Sequence, residues 1–169
     1  MALLENAKEQ ARQLVEKVAG SAGHKSTVQA VTIGRPRDAV VAALSDPVAL
    51  STVFGEIAEV ASIGPNRLRW TFPGRDADDD PSWECVVTAD GDGVKYTDVK
   101  PDSSLELVVA LREAPQAMGT EVIGRISAPA PGVLTGPLLY KALYRFRALL
   151  LTGEIPTIAR NPSARDSQR

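Results

Sequence analysis

Residues 134–152 read LTGPLLYKALYRFRALLLT, and this stretch decides the fold. At about 100° per residue, Leu138, Leu139, Ala142, Leu143, Phe146, Leu149 and Leu150 fall within an arc of about 140°. The segment is therefore a long amphipathic helix with one broad apolar face. Gly153 ends it, and Ala128-Pro-Ala-Pro-Gly132 ahead of it holds too much proline for helix or ladder strand. A second stripe, Tyr140, Tyr144, Arg147 and Leu151, recurs at i, i+4, i+7 and i+11 away from the first. Such a stripe suits contact with another element or a second subunit.

Working outward, Thr27–Ile33 alternates as a first strand. Pro36 opens a short helix through Val40, Val41 and Leu44, and Asp46-Pro47 caps a second that ends near Phe54. Period-two patterning then predicts strands over Gly55–Ile63, Arg67–Phe72, Ser82–Ala89, Val94–Val99, Ser104–Arg112 and Thr120–Ser127. Leu68, Trp70 and Phe72 share one face, opposite Arg67, Arg69 and Thr71. Leu105, Leu107, Val109 and Leu111 likewise oppose Glu106 and Arg112. A sheet with one apolar face must cover it, and the C-terminal helix is the only element long enough.

That helix is about 10 Å wide, against strands spaced about 4.8 Å apart. The expected fold is therefore α+β of the helix-grip kind, a curved antiparallel seven-stranded sheet wrapped around the long C-terminal helix. The uncovered remainder becomes a pocket. The side chains placed towards it are Trp70, Phe72, Trp83, Cys85, Tyr96, Leu107, Val109, Val122, Leu138 and Ala142, with Gly124 leaving a space at the same depth.

Residues 1–22 precede this body. Leu4, Ala7, Ala11, Leu14 and Val18 mark an additional N-terminal amphipathic helix, and Ala19-Gly-Ser-Ala-Gly23 makes a hinge. Residues 23–153 form the domain, and 154–169 a polar tail. The acids and bases of the N-terminal helix cancel, which argues against docking on anionic lipid. A homodimer through this helix or through Tyr140, Tyr144 and Leu151 is the protein partnership these features suggest.

The net charge of −2 gives no reason to expect nucleic acid. One cysteine excludes an internal disulfide, no signal-peptide order opens the chain, and no apolar run approaches the eighteen or so residues of a bilayer span. The expected compartment is the cytoplasm, without stable membrane insertion. His24, the only histidine, lies in the hinge, so nucleophile–histidine catalysis and histidine-rich metal sites have little to work with. Cys85 reads as a buried small hydrophobe. Asp76-Ala-Asp-Asp-Asp80, laid on a calcium loop, puts Pro81 and Val87 where glycine and glutamate are required. No catalytic residue, metal site or cofactor is expected.

The order of elements resembles the START-like (SRPBCC) superfamily, and within it the polyketide cyclase/dehydrase or coenzyme-Q-binding-like branch. The resemblance spans residues 27–165. It rests on Asp46-Pro-Val-Ala-Leu50, Arg69-Trp-Thr-Phe-Pro-Gly74, Trp83-Glu-Cys85, Gly119-Thr-Glu-Val122, Pro129-Ala-Pro-Gly132 and Arg145-Phe-Arg147. The most specific part is Thr152-Gly-Glu-Ile-Pro156 with Pro162-Ser163 and Arg165, although Leu151 stands where similar proteins often carry an acid. The resemblance implies a shared cavity and no shared chemistry. Three functions remain open. The first is a binding or carrier protein for a lipid, quinone or polyketide-like molecule. The second is an aromatase/cyclase-type enzyme, for which Tyr96 and Asp98 are the inward polar groups. The third is an interaction module without a ligand.

Overall fold

The computed structural model describes residues 27–73, 80–127 and 136–156. The N-terminal helix, His24, most of the acidic loop, the proline-rich linker and the tail beyond Pro156 lie outside the described residues. The elements run β1 (Thr27–Ile33), α1 (Arg37–Leu44), α2 (Pro47–Phe54), β2 (Glu59–Gly64), β3 (Arg67–Thr71), β4 (Ser82–Asp90), β5 (Gly93–Asp98), β6 (Glu106–Glu113), β7 (Thr120–Ser127) and α3 (Gly136–Thr152). All seven strands form one sheet in the order β1-β7-β6-β5-β4-β3-β2. Every neighbouring pair is antiparallel. With α3 packed on its apolar face, this is the helix-grip arrangement.

Local chemistry sets the corners. Asp46 Oδ1 accepts a hydrogen bond from the Val48 N–H at 2.9 Å, and Pro47 takes the first helical position of α2. Gly55 then reverses the chain with φ of 49°, a left-handed conformation that disfavours any side chain. Strand β2 consequently starts at Glu59 and not at Gly55, because residues 55–58 make the turn out of α2. Ser51 ties the two elements together: its Oγ donates to the Val60 carbonyl at 2.8 Å and accepts from the Val60 N–H at 2.7 Å. Between β4 and β5, a Cβ on Gly93 would stand 2.1 Å from the Val109 carbonyl oxygen, so only glycine fits there.

The inward set of each strand is buried as the alternation requires. Trp70, Phe72, Cys85, Tyr96 and Val122 are fully buried, and Leu68, Leu107, Val109 and Ile126 nearly so. On the outer face, Arg69 with Glu84, Lys95 with Glu106, and Arg112 with Glu121 form exposed ion pairs. Arg69–Glu84 and Arg112–Glu121 join directly paired residues of adjacent strands. Exposed pairs of this kind contribute about 0–1 kcal/mol each and serve register more than stability.

Helix α3 lies along β1 and β7, at one flank of the sheet. Its direction follows that of β1. Leu139 covers Gly124, which pairs with Gln29, while Leu151 sits beside Gly34 at the other end of β1. Five residues of β1 rise about 17 Å and twelve of α3 about 18 Å, so strand and helix keep step. Arg35 Nε donates to the Leu150 carbonyl at 2.9 Å, placing a cation at the helix C-terminus where the macrodipole favours it. Arg145 reaches across to the Val53 carbonyl at 3.4 Å, linking α3 to the end of α2. The outer stripe of α3 stays open, with Tyr140 53 %, Tyr144 49 % and Leu151 37 % exposed.

Two stability outcomes follow from this packing. Phe146 is 2 % exposed inside the core cluster, so Phe146→Ala should cost about 3 kcal/mol or more in chemical denaturation. A Cβ on Gly124 would lie 3.2 Å from Leu139 Cδ1, so the space at this glycine is taken by the helix. Gly124→Leu should therefore destabilise by about 1–3 kcal/mol through overpacking. Adding Leu139→Ala should recover part of that loss, and strictly additive losses would show that the two sites do not touch.

Candidate ligand cavity

Three helices and the sheet meet around a small apolar void. Leu44 closes it from α1, and Leu50, Val53 and Phe54 from α2. Tyr96, Leu107 and Val109 form its floor on the sheet, and Leu139, Ala142, Leu143 and Phe146 its roof on α3. These side chains converge because α2 turns Leu50, Val53 and Phe54 (spacing i, i+3, i+4) towards the same inner face that α3 covers from the other flank. The void measures about 30 Å³ and presents no polar surface. A water there would find no polar partner.

An aromatic cluster adjoins the void. Trp70 meets Phe54 edge-on at 4.7 Å, Tyr96 edge-on at 5.9 Å and Trp83 tilted at 5.8 Å between ring centroids. The Tyr96 hydroxyl donates to the Leu44 carbonyl, which turns the one phenol of the floor away from the cavity and towards α1. Burial raises the pKa of that phenol well above its ordinary value. Burial likewise pushes the Cys85 thiol up to about 11, opposed by the Trp70 indole and the Leu68 backbone. The Trp70 N–H influences that sulfur without meeting hydrogen-bond geometry to any acceptor. Asp98 is half-buried and accepts the Lys100 N–H at 2.9 Å, in the turn that follows β5.

The residues expected to face a pocket are distributed as follows. Tyr96, Leu107, Val109 and Ala142 line the void. Trp70, Phe72 and Cys85 pack beside it in the core, on the side of β3 and β4. Trp83 belongs to the same core and also borders an open hollow of about 440 Å³ with Asp98, Ser103 and Leu105. Val122 and Gly124 lie on β7, where Leu139 covers Gly124, and Leu138 is half-buried on α3. Sequence reasoning missed Leu44, the α2 triplet, and Leu139, Leu143 and Phe146, which it assigned to the apolar arc of α3 but not to the pocket. Its signal was present, since Leu50, Val53 and Phe54 recur at helical spacing. A second open hollow of about 440 Å³ has Ser45, Ser62, Asn66 and Arg67 in its walls. Leu68, Val86, Val87 and Ala89 share those walls, so the hollow is of mixed polarity, unlike the apolar void.

Among the described residues no group of acidic, histidine and cysteine side chains could hold a metal ion. No described helix is long and apolar enough to cross a membrane. Neither a protein-family model nor a curated protein sequence matches the chain. Solved structures do. The Deinococcus radiodurans protein DR_A0006 is 28% identical with a TM-score of 0.61, over 76% of this chain and 99% of that one. The chain is structurally similar to SRPBCC-like proteins. KanY, solved in solution, matches at 20% identity and a TM-score of 0.55, over 76% of this chain and 98% of its own. The Aha1 dimer of Colwellia psychrerythraea matches at 13% identity and a TM-score of 0.55, over 76% and 97%. The last two are likenesses of the SRPBCC-like fold alone.

The buried thiol yields a pH prediction. An unfolded chain releases the Cys85 proton near its ordinary pKa of 9.0, whereas the folded one holds it until about 11. Above pH 9 the unfolded state thus binds fewer protons, and stability falls as pH rises through that window. Denaturation midpoints measured between pH 8 and 11 should decline more steeply for the parent than for Cys85→Ala. Equal slopes would mean that the thiol is not held in this environment.

Proposed function

We propose that this protein binds an apolar small molecule, of the lipid, quinone or polyketide-like kind, between the sheet and α3, and carries it without transforming it. The observation that carries this reading is the small void at the junction of α1, α2, α3 and the sheet, whose lining surface is apolar. The two polar groups nearest the reading's rival, an acid–base enzyme, have other engagements. Tyr96 donates to the Leu44 carbonyl, and Asp98 accepts from the Lys100 backbone. General acid–base chemistry needs such groups within reach of the reacting atoms.

At about 30 Å³ the void is a seam and not a filled-size pocket. A guest of lipid or quinone size enters only if α3 moves away from α2 and the sheet. The contacts to be parted are mostly apolar side chains, together with the Arg145–Val53 hydrogen bond at 3.4 Å and the Arg35–Leu150 hydrogen bond at 2.9 Å. Apolar contacts separate without stranding buried charges, and the guest re-buries the same surface at roughly 25 cal/mol per Å² before entropic costs.

Native mass spectrometry of protein purified from its own host should detect a co-purifying apolar molecule. Titration with an apolar fluorescent probe tests the place. Ala142→Leu pushes a larger side chain into the void and should weaken the probe at least about tenfold. Binding should change little with salt, since no charge faces the void. A folded Ala142→Leu variant that binds the probe as tightly as the parent would remove the cavity from the reading.

A further inference from the structure

The outer stripe of α3, Tyr140 and Tyr144 followed by Arg147 and by Leu151 at the edge of Gly34, is exposed among the described residues, and the chain itself supplies a fitting cover. Strand β1 and α3 run side by side in the same direction, with Leu139 at the level of Gln29 and Leu151 at the level of Gly34. Thr27, two residues before Gln29, therefore lies about 7 Å further back, just beyond the N-terminal end of α3. Residues 1–26 leave the fold at that point, on the edge strand that α3 borders. From there the exposed stripe Tyr140, Tyr144, Leu151 extends for eleven residues of helix, about 17 Å.

The apolar positions Leu4, Ala7, Ala11, Leu14 and Val18 span fourteen residues, about 21 Å if helical. Residues 19–26 between Val18 and Thr27 can reach up to about 27 Å, ample for a reversal of direction. Charge does not oppose the contact: the stripe carries Arg147 with Lys141 beside it, and in the segment Glu5, Glu9 and Glu16 are balanced by Lys8, Arg12 and Lys17. We propose that residues 3–18 dock as a helix on the Tyr140/Tyr144/Leu151 stripe of their own chain, antiparallel to α3. The segment then straps the outer side of the helix that roofs the apolar void. The docking rests on the course of β1 and α3 and stands independently of any ligand.

Two measurements on the full-length chain decide it. Leu14→Cys combined with Tyr144→Cys, under mild oxidation, should give an intramolecular disulfide and a monomeric product. A product that is only the covalent dimer overturns the proposal in favour of a second copy, and no cross-link overturns it outright. Cys85 is buried and does not compete. Limited trypsinolysis reads the same contact without new cysteines. Cleavage after Arg12 and Lys17 should be slow in the parent and at least about tenfold faster in Tyr144→Glu, as expected of a segment released from docking. Equal cleavage rates in parent and variant, with the variant's far-UV spectrum unchanged, would sink the proposal.

Discussion

The structure depends on one geometrical mismatch. A single helix about 10 Å across has to shield the apolar face of a sheet seven strands wide, and strands about 4.8 Å apart outrun it several-fold. The chain does not place α3 along the midline. It sets the helix along β1 and β7, where Gly124 lets Leu139 approach the sheet closely. The remaining inner face needs other cover, and α1 and α2 provide it. Their buried residues, Val40 and Leu44, then Leu50, Val53 and Phe54, close the side that α3 leaves open.

This division of labour locates the cavity. The void forms where the two covers abut, between the α2 triplet and the Leu139–Phe146 face of α3, above Tyr96, Leu107 and Val109. Its small size follows from the aromatic cluster. Trp70 packs edge-on to Phe54 and Tyr96 and tilted against Trp83, and fills the volume that smaller side chains would have left open. The polar ties that hold the covers are few and peripheral. Arg35 caps α3, Arg145 reaches α2, and Ser51 anchors α2 to β2. The roof is thus held mainly by apolar contact, with hydrogen bonds from Arg35 at its C-terminal end and from Arg145 near its middle.

Much of the fold was legible because period-two alternation and a helical arc are local signals. The inward sets of β3, β4 and β6 and the apolar arc of α3 carried through to burial, Trp70 and Phe146 among them. The start of β2 was less legible. Gly55 takes a left-handed conformation that makes residues 55–58 a turn, and alternation alone cannot distinguish that from strand. For the candidate cavity, Tyr96, Leu107, Val109 and Ala142 were visible as inward residues. Leu44, Leu50, Val53 and Phe54 were not, because nothing local tells a short amphipathic helix which flank of a sheet it will cover.

The sequence by itself determined seven strands, three helices of the body, which face of each is apolar, and that the covering helix is too narrow for its sheet. These follow from side-chain spacing and from the fixed dimensions of helix and strand. Only the tertiary structure decided that α3 settles over β1 and β7, that Leu139 occupies the space above Gly124, and that the Tyr96 hydroxyl turns to the Leu44 carbonyl. Each of these depends on residues far apart in the chain meeting at close range. Packing at that distance selects among side chains that local patterning leaves equivalent.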